Sequence, residues 1–352
     1  MTLKEASIDR KNNLNIIRLV AALMVLYMHS FSICVGESSA DIFNLFTFGK
    51  EGAGGIAVDI FFIISGFLIC RSYDRNHNVW KYIKARFLRI WPLLFVYVIL
   101  TAFVVGPIIS KYTLAQYFQG NITGYLKNLY FNSLDTYLPG VFSDHYNHSL
   151  NGSLWTLRYE VIAYIAVVVF SPIWRRRRIF APVAFVLFAV CHVIYNCYSG
   201  IDIGPVSAEF ISSMVRLGMF FIMGMCYYLY QDRIVISCRI AIVAFILLIA
   251  GMYLADFSIV FALFGSYIIF YLAFQKRFIA TWYDKVGDLS YGVYILSFTV
   301  QQIVCEIVGT PVKYYLTMSM NPYLNMLISF IIVLPLAWIS WHCLEKQCLK
   351  LK

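Results

Sequence analysis

Charge is scarce in this sequence. Asp, Glu, Lys and Arg make up 13% of its 352 residues, against 61% apolar residues, and soluble domains carry nearly twice that charge. An ordinary soluble globule and a disordered chain are both excluded. Acidic residues are the scarcer sign, 18 against 28 Lys and Arg, for a net charge of +10. The nine cysteines include no Cys-x-x-Cys pair, which argues against zinc and dithiol motifs and leaves small apolar filler as their role. Neither a metal site nor a disulfide framework is predicted. Nor is a cleavable leader expected, because the first apolar run is too long, lacks a small-residue cleavage site and follows a charged segment.

What the sequence does have is repeated apolar runs of about 18 to 22 residues, long enough to cross a hydrocarbon core near 30 Å thick. Backbone groups in that core must be satisfied within the segment, so the runs are helices rather than open strands. Spans are predicted near 14–34, 56–72, 90–109, 153–173, 179–197, 210–230, 239–254, 258–274, 288–307 and 323–342. The fold class is therefore all-α, a polytopic membrane helix bundle of about ten transmembrane helices. Ala255-Asp256-Phe257 separates the shortest pair and reads as a tight hairpin. The outer loop at about 110–152 is the sizeable hydrophilic segment, rich in Tyr, Asn and Asp with His145 and His148. Its side chains suit either carbohydrate or the membrane interface. No appended soluble domain is expected, and residues 1–352 are read as a single transmembrane domain.

Lys and Arg concentrate in cytoplasmic loops. With the N-terminus inside, 21 of the 28 fall on the inner side: Lys4, Arg10 and Lys11, the run Arg71 to Arg89, Arg175 to Arg178, Arg233 and Arg239, Lys276, Arg277 and Lys285, and the C-terminal lysines. Both termini are thus predicted to be cytoplasmic. Lys50, Lys111, Lys127 and Lys313 fall in outer loops, and Arg18, Arg158 and Arg216 within spans. The positive charge reports topology and contact with membrane lipids, not nucleic-acid binding.

Ionisable residues at membrane depth are costly and mark function. Arg18 and His29 lie eleven residues apart in the first span, which at about 1.5 Å and 100° per residue stacks them on one face roughly 16 Å apart. His29, near the outer end, can deprotonate an alcohol or carry an acyl group; the alternative is an ordinary hydrogen-bonding residue. Glu160, at comparable depth in the fourth span, would fix the imidazole tautomer or form an interhelical salt bridge with Arg216. Arg158, two positions from Glu160, faces nearly the opposite way. Asp59 could anchor His29, position an acceptor or cap the second helix, and the Ser65-Gly66 step after it suits close helix approach. On the inner side Arg86 and Arg89 share a face at i, i+3 and match phosphate geometry; as positive-inside anchors they would touch lipid headgroups instead.

Taken in order, Arg18-x10-His29, Val58-Asp59-Ile-Phe-Phe-Ile-Ile-Ser65-Gly66-Phe-Leu, Arg86-Phe-Leu-Arg89-Ile-Trp-Pro92, Ser153-Leu-Trp155-Thr-Leu-Arg158-Tyr-Glu160, Arg216 to Gly224, Gly287-Asp-Leu-Ser290-Tyr291-Gly-Val-Tyr294 and Glu345-Lys346 form one pattern. It resembles the acyltransferase-3 family of bacterial membrane acyltransferases of surface glycans. The resemblance implies an acyl-CoA donor, usually acetyl-CoA, used from the cytoplasmic face. It also implies a glycan or lipid-linked glycan acceptor at the outer face of a bacterial inner membrane. By the same resemblance His29 is the catalytic histidine, Glu160 supports the catalytic centre, and Arg18, Arg86 and Arg89 bind the donor; Asp59 is a second candidate to help His29. Trp155, Arg158 and Arg216, in the remaining segments, are the candidates for binding the acceptor.

Two positions depart from the pattern. Ser297 stands where a histidine commonly follows Ser-Tyr-x-x-Tyr, and Gln347 where a proline commonly follows the terminal Glu-Lys. The expected function is O-acetyl transfer to a sugar hydroxyl of a cell-surface polysaccharide of the O-antigen or exopolysaccharide type. A polytopic transporter or lipid-linked glycan flippase is the alternative, with Arg18, His29, Glu160 and Arg216 along its pathway.

Overall fold

The structure is a computed structural model that describes residues 1–8, 11–37, 41–76, 78–131, 135–198, 207–276, 279–311 and 317–352. Arg10, Arg277 and Lys313, which enter the charge asymmetry, lie outside the described residues. Each predicted span is helical: α1 Leu14–Cys34, α2 Ala53–Asn76, α3 Val79–Leu100, α4 Trp155–Val169, α5 Phe180–Cys197, α6 Ala208–Leu229, α7 Cys238–Leu254, α8 Phe257–Phe274, α9 Ser290–Val308 and α10 Pro322–Ser340. Helix α3 runs on to Ile109 and α10 to Leu349. Among the described residues, eight of these helices are long and apolar enough to cross a membrane, while α4 has 15 residues and α7 has 17. The chain is a nearly all-α, multi-pass membrane protein.

Two helices begin earlier than hydropathy predicts. Helix α3 starts at Val79, so Arg86 and Arg89 lie within it rather than before it; a hydropathy run marks where apolar residues begin, not where backbone hydrogen bonding begins. Helix α2 starts at Ala53, whose N–H donates to Asp41 Oδ2 at 3.0 Å, while Asp41 Oδ1 accepts from the N–H of Asn44 at 2.8 Å. Asp41 therefore supplies the acceptor at the start of α2, and Asp59, two turns in, is not its cap.

The chain divides into two compact units. The first comprises Met1–Arg18, Val58–Tyr82 and Tyr159–Asp284. Within it, α2 and α6 touch backbone to backbone: a Cβ at Gly66 would run into the carbonyl of Phe221, and one at Gly224 into that of Ile63. Glycine is what permits that approach in a membrane helix pair. Helix α5 packs on α6, and α7 folds back on α8 through the predicted hairpin, where Asp256 Oδ1 accepts from the N–H of Ile259 at 3.1 Å.

The second unit comprises Leu19–Ala57, Ile83–Arg158 and Lys285–Lys352. Helix α9 lies at its centre, and α10 packs antiparallel against it, with Gly292 on Ala337 and Asn325 Nδ2 donating to the Gln301 carbonyl at 3.0 Å. Asn325, Ser329, Val333 and Ala337, spaced by four, are the buried stripe of α10, as expected for one helix face. The outer loop packs rather than standing apart: Tyr117 and Tyr125 are fully buried, with hydroxyls bonded to the Ala102 carbonyl and Thr101 Oγ1, each at 2.7 Å. Tyr112, Tyr130, Tyr137 and Tyr146 remain exposed. Cys34 and Cys305, far apart in sequence, are hydrogen-bonded neighbours in a buried cluster with Ile33 and Phe298.

Candidate active site

His29 sits on α1, 8% exposed, with its ring edge-on to Phe298 of α9 at 4.8 Å between centroids. Its Nδ1 is sealed from solvent and meets no hydrogen-bond partner. The turn that carries it is held from α9: Gln301 Nε2 donates to the Leu26 carbonyl at 2.8 Å and to Ser30 Oγ at 2.6 Å, and Ser30 Oγ donates to the same carbonyl at 3.1 Å. A rigid turn with a nearly buried imidazole is what a positioned base requires.

The segment leading into α4 is also pinned to α9. Asn151 Nδ2 donates to the Ile295 carbonyl at 2.8 Å, its Oδ1 accepts from the N–H of Ser153 at 2.8 Å, and Thr156 Oγ1 and the Tyr294 hydroxyl bond at 2.7 Å. Trp155 and Arg158, half-buried, open α4 beside these contacts.

Glu160 and Asp59 belong to the first unit, His29 to the second. Glu160 Oε1 accepts from the Tyr164 hydroxyl one turn along α4. Asp59 is fully buried and paired with Arg216 Nη2 of α6 at 2.8 Å. The interhelical ion pair made by Arg216 is thus with Asp59, a partner the sequence reading did not assign to it. Arg18 lies half-buried on the second turn of α1, in the first unit.

Toward the predicted cytoplasmic end of the second unit, Arg89 is a hub. Its Nη2 bonds Asp288 Oδ2 at 2.7 Å and its Nη1 approaches Glu345 Oε2 at 3.5 Å, and the guanidinium lies 5.6 Å from the Tyr291 ring centre and 5.7 Å from that of Trp341. Ser290 Oγ donates to Asp288 Oδ1 at 2.6 Å and Ser340 Oγ to Glu345 Oε1 at 2.9 Å. In the sequence Asp288 and Glu345 are only members of the pattern; their shared partner is what joins those segments. Arg86 lies one turn away, and partial desolvation, with the Arg86 and Arg89 charges, lowers the Lys352 ammonium to about 8.

At the other end of α9, His145 is wholly buried between two acceptors, Gln302 Oε1 at 2.7 Å and Glu306 Oε2 at 2.6 Å. Gln302 Nε2 donates to the Asn147 and Ser149 carbonyls, which fixes the amide so that its oxygen faces His145 Nδ1–H. Asp144, His145 and Glu306 bring three potential metal-ligand atoms within 4.8 Å of one another. His145 Nε2 and Glu306 Oε2 already bond each other, however, and Asp144 Oδ2 holds Lys111 Nζ at 2.5 Å, while Asp144 Oδ1 is sealed without a hydrogen-bond partner. Desolvation raises the Asp144 carboxyl, but the Lys111 hydrogen bond and charge, a backbone hydrogen bond and the charge of His145 together outweigh it and leave it below its ordinary value. The group is a latch between the outer loop and α9. Nothing in the sequence beyond the presence of His145 pointed to it.

The acyltransferase domain family profile matches residues 11–342. The chain belongs to the acyltransferase-3 family. It is 31% identical over 349 residues, 97% of its own length and 96% of the relative's, to an O-acetyl transferase of Shigella phage Sf6. It is also 31% identical over 191 residues, 49% of its length and 47% of the relative's, to nodulation protein 10 of Rhizobium leguminosarum bv. viciae. No solved structure matches. The protein is accordingly a membrane acyltransferase, and the transporter reading gives way to the enzyme. For an acyltransferase, a nearly buried imidazole on a clamped turn and a cationic cluster near one helix end are the two chemical assets the fold offers.

Proposed function

We propose that this acyltransferase moves an acetyl group from acetyl-CoA, entering from the cytoplasmic side, to a sugar hydroxyl of a surface polysaccharide or its lipid-linked precursor. The acceptor is met at the outer face of a bacterial inner membrane, which ten spans cross with both termini inside. The observation that carries the reading is His29, an imidazole nearly sealed within a membrane helix and held from α9 by Gln301 and Phe298. Buried ionisable groups at that depth are retained for chemistry.

In the reaction, the imidazole takes the hydroxyl proton as the sugar oxygen attacks the thioester carbonyl. The carbon–sulfur bond then breaks, and the proton passes to the departing thiolate. An acetyl-imidazole formed first on His29 gives the same products in two steps. By the family resemblance Glu160 is assigned to support of the catalytic histidine; Trp155, Arg158 and Arg216 are assigned to the acceptor, the Arg216 guanidinium being held by Asp59. Arg86, with Arg89 held by its two carboxylates, takes the phosphates of CoA; the family resemblance assigns Arg18 to the donor as well. The Sf6 relative's description as an O-acetyl transferase favours acetyl over longer chains.

Radiolabelled acetyl-CoA and surface glycan from the source cells test the reading with purified protein. His29→Ala should abolish label transfer while keeping wild-type circular dichroism and elution. A folded variant that transfers at the wild-type rate refutes it.

A further inference from the structure

Helices α9 and α10 share a polar seam that the acyltransferase chemistry has not used. The bond from Asn325 Nδ2 to the Gln301 carbonyl sets the antiparallel register. One turn inward on each helix, that register brings Ser329 opposite Ser297. All four side chains are 0% exposed. Each leaves a sealed polar atom without a hydrogen-bond partner: Gln301 Oε1, Asn325 Oδ1, Ser297 Oγ and Ser329 Oγ. Such atoms are rare in folded proteins, and four along one seam call for an occupant.

The chemistry of the four restricts what that occupant is. Two amide oxygens only accept; two hydroxyls both donate and accept. A cation would satisfy the oxygens and leave the hydroxyl protons unmatched. With every lining atom sealed, the occupant is small, and it both donates and accepts. Water meets these terms, since a buried water makes two to four such bonds. His29 adjoins the seam: its ring rests on Phe298, the residue after Ser297, and its Nδ1 is a fifth sealed atom without a partner.

We propose that the α9–α10 seam holds a column of water molecules, bridging Gln301 to Asn325 and Ser297 to Ser329, that provides the hydrogen-bond partner of His29 Nδ1. A proton held on Nδ1 by that water leaves Nε2 as the basic nitrogen. Ser329 and Gln301 are then positioning residues, acting on the imidazole through water. The column itself stands independently of the proposed function; its role in catalysis rests on that function.

Two experiments test this. X-ray radiolysis of the wild-type protein oxidises side chains beside bound water, so Phe298, at 1% exposure, should be oxidised despite its burial. A Phe298 that stays unmodified overturns the column. Second, Ser329→Val replaces the hydroxyl with one methyl and adds another, whereas the isosteric Ser329→Thr adds a methyl but keeps the hydroxyl. The reaction of His29 with diethyl pyrocarbonate, followed by mass spectrometry across pH, should have its midpoint moved by about one unit in Ser329→Val. kcat should fall about tenfold with KM for acetyl-CoA unchanged, and Ser329→Thr should behave as wild type. A Ser329→Val protein that matches wild type in both respects overturns the link to His29. A shifted midpoint in a protein whose wild type transfers no acetyl group supports the seam and refutes the proposed function, so the two failures are distinguishable.

Discussion

Removing the Arg89 side chain tests whether this residue holds the second unit together by charge. Arg89, Asp288 and Glu345 keep only 13%, 12% and 3% of their side-chain surface. Truncation to Ala therefore removes the guanidinium that these two carboxylates, largely out of water, share. Breaking a buried pair in that way costs about 3–5 kcal/mol, most of it the penalty for the stranded charge. The hydroxyls of Ser290 and Ser340 still bond the two carboxylates, which places the expected loss for Arg89→Ala near the lower end, about 3 kcal/mol. Two neutral replacements should then return most of it: Arg89→Ala with Asp288→Asn and Glu345→Gln is expected about 2 kcal/mol more stable than Arg89→Ala alone. Asp288→Asn alone should cost more than Glu345→Gln alone, because the Asp288 bond is 2.7 Å and the Glu345 approach 3.5 Å. Equilibrium unfolding by SDS in mixed micelles measures all four. A single variant within about 1 kcal/mol of wild type, or a triple variant no better than the single, refutes the charge argument.

Lys352, lowered to about 8, is protonated below that pH and neutral above it. A bound phosphate favours the charged form, so CoA affinity should be full below pH 8 and fall as pH rises through it, with proton uptake on binding. Calorimetry in buffers of differing ionisation enthalpy reads that uptake, Lys352→Met should remove it, and a wild-type heat independent of buffer contradicts it. Gly66→Ala and Gly224→Ala drive a methyl into a backbone carbonyl, and each should cost about 3 kcal/mol or more, because no side chain is present to yield. Gly218→Ala meets only the movable ring of Phe188 and should be milder; equal melting temperatures for the three in detergent would refute the contrast.

Much of the fold was legible because hydropathy and helix length answer to the same hydrocarbon thickness. All ten apolar runs proved helical, and what differed were boundaries: starts such as Ala53 and Val79 and ends such as Asn76 and Val169. Pairings between helices were harder to read. The partner of Arg216 depends on how α2 crosses α6, and that crossing is set by Gly66 and Gly224, two residues whose effect appears only when both helices are present. The cysteines looked solitary for a similar reason: Cys34 and Cys305 meet across two helices with no local signal. Around His29, the residue was visible as an ionisable group at depth, but its neighbours Gln301 and Phe298 were silent because amides and rings on a buried helix carry no charge to notice. Asp288 and Glu345 were visible as letters in a pattern, without the cation that explains them.

The Gly66–Gly224 crossing has a mechanical consequence. Side chains between two helices can swap rotamers and let the pair slide by small steps; main chains in direct contact have nothing to swap. The middle of α2 and the last third of α6 are thereby riveted together, so neither helix slides along the other. The Asp59–Arg216 pair links the same two helices, so the contact that stops them sliding also keeps that pair in register.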